Sequence, residues 1–249
     1  MELQMNIRLL YVMISLFLCI LAVVLNGGAI SASSNTTSVT TNSTFYSVPN
    51  SELVAKWWQW WESIPDDRHP AMKYPDAERC SAMQEGAVWF LPDATELTTN
   101  ENVPPQKYLC EVPVGKSMLL PLSTSECNPG REIKEQTDDK LKACAFNIET
   151  PLNNIEVKVD GITLNISKLG KPIETGFFNI TYPQNPARFW GDEIVSGTHR
   201  AIAQGYFLLI NPLSPGKHTL EMKVSDDLTI QPGQDPPSYR KGLYEINIQ

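Results

Sequence analysis

The chain has 249 residues and a formal net charge of −8 at pH 7, from 28 acidic and 20 basic side chains. An acidic chain without a basic patch repels a phosphate backbone, which excludes nucleic acid as a partner. Hydrophobic residues make up 42% of the chain, enough for one domain with a sizeable core.

The N-terminus predicts export. Arg8 precedes a 17-residue apolar run from Leu9 to Leu25, and the small residues "NGGAISA" follow. This order is typical of a secretory signal peptide, here over residues 1–30. The run is also near the lower length limit for a membrane span, so an uncleaved signal-anchor stays open as the alternative. We therefore expect a secreted or extracellular protein, or one anchored to a membrane by residues 9–25.

The next segment predicts a disordered stalk. Residues 31–44, "SASSNTTSVTTNST", are Ser, Thr or Asn at 12 of 14 positions and have almost nothing apolar to bury. Four N-glycosylation sequons begin at Asn35, Asn42, Asn165 and Asn179. We interpret residues 31–46 as a tether that holds a single folded domain, residues 47–249, away from a membrane or wall.

Four cysteines follow the N-terminal segment: Cys80, Cys110, Cys127 and Cys144. An even number in an exported chain predicts two disulfides, which can pair in three ways. We favour Cys80–Cys110 and Cys127–Cys144, because the second bridge closes the charged excursion at residues 128–142. Closing a loop of that length contributes about 3 kcal/mol in the chain-entropy model. Zinc binding is the alternative, but the cysteines include no closely spaced pair, so we expect no metal.

A tryptophan-rich helix is predicted near the start of the domain. The stretch at residues 55–65, "AKWWQWWESIP", holds four of the six tryptophans. The helix is expected to begin at Ser51 and to end before Pro65. At about 100° per residue, one face carries Leu53, Trp57, Trp60 and Ile64, and the polar face carries Ala55, Lys56, Gln59, Glu62 and Ser63. The apolar face predicts docking on the core, while Trp58 lies at its edge and is the tryptophan expected to stack on any ligand.

The rest of the chain predicts short strands bounded by Gly and Pro. Single strands are expected at residues 86–91, 107–113, 116–122, 176–182 and 243–249. Residues 155–166 predict a hairpin with Asp160-Gly161 as its turn, and residues 205–224 predict two more strands. Residues 226–241 predict a long acidic, proline-rich loop. About ten strands and one N-terminal amphipathic helix favour an all-β fold, an antiparallel β-sandwich of jelly-roll-like type.

A series of sequence blocks resembles a family of exported prokaryotic proteins. The blocks are "KWWQWWESIP", a Cys, "QEGAVWFL", "CEVPVGKSMLLPL", "VDGITL" and "GYFLLINPLSPGKHTLEM", and together they span about residues 52–225. The chain departs from the family pattern at Met83 and Ala87, where Gly and Pro are usual, and at Gln204, where an acidic residue is frequent. The resemblance implies the fold and export, and it leaves the activity open.

Catalytic signatures are weak. The three histidines, His69, His199 and His218, lack the H-x-H spacing of a jelly-roll metal site, and no G-x-S-x-G elbow is present. The carboxylates Asp192 and Glu193 offer the pair that an extracellular glycoside hydrolase requires. Hydrolysis therefore stays open as the alternative function, and no cofactor is implied.

Ligand binding is the favoured function. The loop "RFWGDEIVSGTHR" combines aromatic and hydrogen-bonding side chains, which is typical of carbohydrate recognition. The candidate binding residues are Trp58, Gln84, Trp89, Arg188, Trp190, Asp192, Glu193, His199 and Arg200, with a core position as the alternative for Trp89. The expected partner is a polysaccharide or an envelope protein, and a purely structural role in the cell envelope stays open.

Overall fold

A computed structural model describes residues 46–72, 80–131, 137–146, 154–166, 169–188, 193–225 and 238–249. In chain order the strands are β1 (Tyr46–Ser47), β2 (Val88–Phe90), β3 (Leu97–Thr98), β4 (Gln106–Val112), β5 (Ser117–Cys127), β6 (Asn154–Val159), β7 (Ile162–Thr163), β8 (Ile173–Glu174), β9 (Phe178–Tyr182), β10 (Gly197–Ile210), β11 (Gly216–Ser225) and β12 (Tyr239–Ile248). The helices are α1 (Ser51–Ser63), α2 (Asp138–Ala145) and a 3-10 turn, Asp66–Arg68. The all-β class is confirmed.

The strands form two sheets. The first has the order β1-β10-β5-β2, and β8 and β9 also pair with β10. The second has the order β3-β12-β11-β6-β7, with β4 pairing with β12. Most pairs are antiparallel, but β2 runs parallel to β5 and β4 runs parallel to β12. These two parallel pairings were not expected from the sequence.

One cluster of buried side chains contains residues of both sheets. β10 contributes Tyr206, Leu208 and Ile210, and the second sheet contributes residues such as Leu220 and Tyr244. Side chains of a strand alternate between its two faces. The even-numbered residues of this part of β10 therefore contact the second sheet.

The opposite face of the first sheet carries α1. Leu119 and Phe207 pack with Trp57 and Trp61 of the helix in a separate buried cluster. Phe207 stands between Tyr206 and Leu208 in sequence, so its side chain has the opposite orientation to theirs. The tryptophan helix is thus docked on a core, as the periodicity predicts, but the core it covers lies on one sheet alone.

Local predictions are confirmed with small shifts. The side chain of Asn50 caps α1 by accepting from the Leu53 N–H at 2.8 Å, one residue before the predicted start. The Asp160-Gly161 turn joins β6 and β7 as predicted. The expectation of a single helix is wrong, because α2 begins inside the charged excursion and extends beyond it to Ala145. β12 begins at Tyr239, inside the predicted loop 226–241.

Both predicted disulfides are confirmed. The Cα atoms of Cys80 and Cys110 are 5.2 Å apart, and those of Cys127 and Cys144 are 6.0 Å apart. Within the described residues, no helix is both long and apolar enough to cross a membrane. The predicted signal segment and most of the predicted stalk lie outside the described residues, as do Asn35 and Asn42.

Candidate functional site

A groove of about 570 Å³ lies between α1 and the segment that leads into β2. Its helical wall consists of Leu53, Lys56, Gln59, Trp60 and Ser63, and its other wall consists of Met83, Glu85, Gly86, Ala87, Val88 and Phe90. The helical residues recur at intervals of three and four, which places them along one side of a helix. We call this feature the α1 groove.

The α1 groove has an apolar floor and a polar rim. Trp60 and Phe90 are 6% and 8% exposed, and their ring centroids are 5.6 Å apart. Lys56, Gln59 and Glu85 are exposed above them. Such a lining offers apolar contact to the flat face of a ligand and directional hydrogen bonds at its edges.

Two indole N–H groups fix the helix against the segments that face it. Trp57 Nε1 donates to the Leu91 carbonyl oxygen at 2.9 Å, and Trp60 Nε1 donates to the Ala82 carbonyl oxygen at 2.9 Å. A buried indole N–H requires such a partner to offset its desolvation. The bond from Trp60 therefore also holds the opposite wall of the groove in place.

The opposite wall is a strained loop braced at several points. Met83 has φ +51°, a left-handed conformation that costs free energy for a residue with a Cβ. The Gln84 side chain bonds both backbone groups of Phe90, and the Cys80–Cys110 disulfide anchors the start of the loop. The Gly86 carbonyl oxygen accepts from Lys116 Nζ. The loop is thus over-determined, which is how a fold retains local strain.

The sequence-predicted tryptophans are buried. Trp58 is 7% exposed and meets Trp57 edge-on with centroids 5.0 Å apart. Its position at the edge of the helical face led us to expect exposure, but α1 also contacts β8 and β9, which widens the covered arc. Trp89 is 7% exposed and belongs to the cluster shared by the two sheets. Neither residue lines the α1 groove, whereas Gln84 braces the groove wall.

The predicted loop around residues 188–200 is described in part. Trp190 and Asp192 lie outside the described residues, and Arg188 and Glu193 are exposed. Arg200 forms an ion pair with Asp138 of α2 and stacks on Phe177, with its guanidinium carbon 3.8 Å from the ring centroid. Neither contact of Arg200 involves Trp58, Gln84 or Trp89.

A second polar site lies at the C-terminal end of α1. We call it the carboxylate cluster; it consists of Glu62, Glu126, Asn128, Arg131 and Tyr182. Arg131 Nη2 is 2.6 Å from Glu62 Oε1, and Arg131 Nε donates to Tyr182 Oη at 2.9 Å. Asn128 Nδ2 is 3.0 Å from each Glu126 carboxylate oxygen and 2.9 Å from Tyr182 Oη. Sequence analysis had placed Glu62 on the polar face, but its side chain is 2% exposed.

Burial dominates the electrostatics of this cluster. Desolvation and the nearby Glu62 raise the pKa of Glu126 to about 8. Desolvation also raises the pKa of Glu62, and the Arg131 guanidinium opposes that change. Although burial acts against it, the pKa of Arg131 is raised by Glu62, so the guanidinium stays charged. The cluster therefore has one permanent cation for two carboxylates.

His199, a predicted binding residue, borders the carboxylate cluster. Its ring centroid is 5.8 Å from that of Tyr182, and its Nε2 atom is 2.7 Å from the Val195 carbonyl oxygen. A Cβ atom on Gly130 would lie 2.8 Å from His199 Cδ2, so a side chain at that position would force the histidine to move. Close packing of this kind explains the glycine.

His218 lies in an array of Ser, His and Asp beside a cavity of about 400 Å³. Its Nδ1 atom is 2.7 Å from Asp160 Oδ2, and its Nε2 atom is 3.4 Å from Ser214 Oγ. However, Nε2 is also 2.8 Å from the Ser214 carbonyl oxygen, which can only accept a hydrogen bond. Both ring nitrogens therefore face acceptors, and Nε2 is closer to this backbone oxygen than to the hydroxyl that a catalytic histidine would activate. The array ties the β10–β11 turn to the β6–β7 turn.

The remaining histidine is buried and bonded to backbone groups. His69 is 1% exposed, with Nε2 3.1 Å from the Trp61 carbonyl oxygen and Nδ1 accepting from the Ala71 N–H. In the described part of the chain, no group of three or more His, Cys, Asp or Glu side chains is arranged to hold a metal ion. Asn165 and Asn179, which begin two of the predicted sequons, are exposed.

No protein-family profile and no curated protein sequence matches the chain.

Proposed function

We propose that the chain is an exported binding protein that holds an envelope polysaccharide in the α1 groove. The observation that carries this proposal is the lining of the groove, an apolar aromatic floor with an exposed cation, amide and carboxylate at its rim. Pyranose rings present apolar faces and hydroxyl edges, so this lining complements them.

The groove is also preorganised. Trp60 is fixed by its bond to Ala82, and Gln84 and the Cys80–Cys110 disulfide brace the opposite wall. A rigid site loses less conformational entropy when a ligand binds, which favours affinity. The wall that bears Met83 is therefore already ordered before a ligand binds.

Export and fold complete the proposal. Two disulfides are typical of oxidising compartments, which supports secretion or display outside the cell. A buried cluster common to both sheets supports a sandwich of jelly-roll-like type. The resemblance to exported prokaryotic proteins agrees with both features. The predicted stalk would then place the groove away from the surface that anchors it.

Binding to insoluble envelope polysaccharides, measured by co-sedimentation of the purified exported protein, tests the proposal. Replacing Gln59 and Glu85 with Ala removes two rim hydrogen-bonding groups, and we expect at least a tenfold loss of affinity at about 1 kcal/mol per bond. Glu221→Ala, an exposed carboxylate on the second sheet, is the matched control and should bind normally. Retention of full affinity by the double variant would exclude the groove.

The same assay separates the alternatives. Release of reducing ends from the polysaccharide would favour the hydrolase, for which Asp192 and Glu193 are the sequence candidates. Failure to sediment with any envelope polysaccharide, combined with retention of an envelope protein, would favour the structural role. Either result would replace carbohydrate binding as the function.

A further inference from the structure

We infer that the carboxylate cluster is a proton-operated latch that holds the C-terminal end of α1 on the first sheet. Two carboxylates from different elements share one guanidinium there: Glu62 comes from α1 and Glu126 from β5, while Arg131 follows β5. This inference concerns the stability of α1 and does not depend on carbohydrate binding.

The charges of the cluster require one extra proton. With both carboxylates ionised and Arg131 cationic, the cluster carries a net negative charge in a site where Glu62 is 2% exposed. An uncompensated buried charge is costly. A single proton makes the cluster neutral, and every buried charge then has a partner.

The hydrogen bonds indicate the carboxylate that carries this proton. Arg131 Nη2 contacts Glu62 directly at 2.6 Å, a charge-assisted bond that favours the ionised form of Glu62. Within the described residues, Glu126 instead accepts from the neutral Asn128 amide, which stabilises a carboxylate less than a guanidinium does. Desolvation raises its pKa to about 8, so Glu126 is the protonated member below that pH.

Among the described residues, Arg131 is the cation whose charge acts on Glu126, and Glu62 is the nearby anion. Tyr182 of β9 belongs to the cluster, and His199 of β10 borders it. The helix α2 packs around Cys127, whose side chain points to the other face of β5. Glu126 is half-buried, so protons can exchange with solvent.

Loss of the proton loosens α1. An ionised Glu126 competes with Glu62 for Arg131 and repels Glu62 at the same time. Glu62 lies in the last turn of α1, next to the buried Trp61 and close to Ile64. The end of the helix therefore separates from the sheet more readily at alkaline pH.

The direction of the pH dependence follows from linkage. A glutamate in the unfolded chain has a pKa of about 4.5, and burial raises the pKa of Glu126 to about 8 in the folded chain. Between these values the folded state binds the additional proton, so stability is fully present below pH 4.5 and falls as pH rises to 8. One proton corresponds to about a tenfold change in the unfolding equilibrium constant per pH unit.

Urea unfolding at one-unit steps from pH 5 to pH 9 tests the latch in the full domain. Glu126→Gln keeps the shape of the side chain and removes its titration. The ratio of the unfolding equilibrium constants of wild type and variant should therefore change by up to about tenfold per pH unit and level off above pH 8. Glu85→Gln, a groove-rim carboxylate, is the control and should keep the wild-type slope. Identical slopes for wild type and Glu126→Gln would overturn the inference.

Hydrogen exchange supplies the structural readout. The protection factors of residues 58–64 should fall in wild type between pH 6 and pH 9, and they should stay constant in Glu126→Gln. A fall confined to other parts of the first sheet would show that Glu126 does not latch α1. Because the readout is protection rather than ligand affinity, failure of the latch and failure of polysaccharide binding are separate results.

Discussion

The side-chain amide of Gln84 pairs with both backbone groups of Phe90. Nε2 donates to the Phe90 carbonyl oxygen at 2.7 Å, and Oε1 accepts from the Phe90 N–H at 2.9 Å. The same Nε2 atom lies 3.2 Å from the Cys80 carbonyl oxygen. One glutamine thus completes the hydrogen bonding of β2 and sets the position of the groove wall.

The first prediction concerns this glutamine. Gln84→Ala leaves the N–H and carbonyl groups of Phe90 without their partners, and we expect a loss of about 2–4 kcal/mol in the free energy of unfolding. Gln84→Glu keeps the acceptor but turns a carboxylate oxygen towards the carbonyl oxygens of Phe90 and Cys80, so it should not restore the lost stability. Urea denaturation measures both. Glu221→Ala, an exposed side chain on the second sheet, should change stability by less than about 1 kcal/mol.

The second prediction separates two adjacent tryptophans. Trp57→Phe leaves the Leu91 carbonyl oxygen unpaired, whereas Trp58 Nε1 has no acceptor among the described residues. Trp58→Phe should therefore cost about 1–3 kcal/mol less than Trp57→Phe. Thermal unfolding of the two variants tests this difference, and equal losses would contradict the hydrogen bond from Trp57.

The burial of Trp58 corrects an expectation from the sequence about its truncation to Ala. The position of Trp58 at the edge of the helical face predicts that Trp58→Ala lowers the free energy of unfolding by less than about 1.5 kcal/mol. Because Trp58 is as buried as Trp60, Ala at either position or at Trp57 should lower the free energy of unfolding by about 3–5 kcal/mol. A mild effect at Trp58 alone in thermal melts would restore the view that this ring is an exposed stacking platform.

The third prediction distinguishes the disulfides by their effect on the groove. Replacing either cysteine pair with Ser should cost about 3–4 kcal/mol in the chain-entropy model. Only the loss of Cys80–Cys110 should also weaken polysaccharide binding, because that bridge anchors the loop bearing Met83. Non-reducing peptide mapping checks the pairing, and the Cys127–Cys144 pair variant is the binding control. Equal binding losses in both would contradict a local role.

The fourth prediction concerns pH and His218. Burial lowers the pKa of His218, but the Asp160 carboxylate and the Ser214 carbonyl oxygen outweigh it, so the net shift is upward. A raised histidine pKa adds stability that is present below about pH 6.5 and is lost as pH rises through the folded pKa. The His218–Asp160 pair is partly exposed, so it should contribute about 1 kcal/mol or less to the free energy of unfolding.

Asp160→Asn tests this pair cleanly. Asp160 has φ +51°, a conformation that asparagine also tolerates, so the turn should survive the substitution. Glu126 gives wild type and variant the same additional pH dependence, so the measured quantity is the difference between their melting temperatures. This difference should shrink between pH 5.5 and pH 8.5 for Asp160→Asn and stay constant for Glu221→Gln, which lies on the same strand as His218. A constant difference for Asp160→Asn would contradict the contribution of the pair.

Local patterns in the sequence predicted much of the fold. The spacing of Trp57, Trp60 and Ile64 indicated a helix with one buried side, and Asp160-Gly161 indicated a hairpin turn. The charged segment between Cys127 and Cys144 indicated which cysteines pair. Each of these features depends on residues that are near one another in the chain, where helical periodicity, turn preference and loop length operate directly.

The candidate sites were predicted less well. Gln84 was selected from the sequence as a ligand contact, yet its amide is bonded to backbone. Trp58 and Trp89 were selected as aromatic rings, yet both are buried. The common reason is that residue type indicates what a side chain can contact, whereas exposure depends on which other segments pack over it.

By itself the sequence determined the all-β composition, the tryptophan helix and the disulfide pairing. Only the tertiary structure decided which sheet face α1 covers, which strands run parallel, and that Glu62 meets Arg131 across 69 positions of the chain. The physical reason is that a contact between distant segments depends on how whole sheets pack. A short-range pattern fixes the direction of a side chain within its own element and leaves its distant neighbours undetermined.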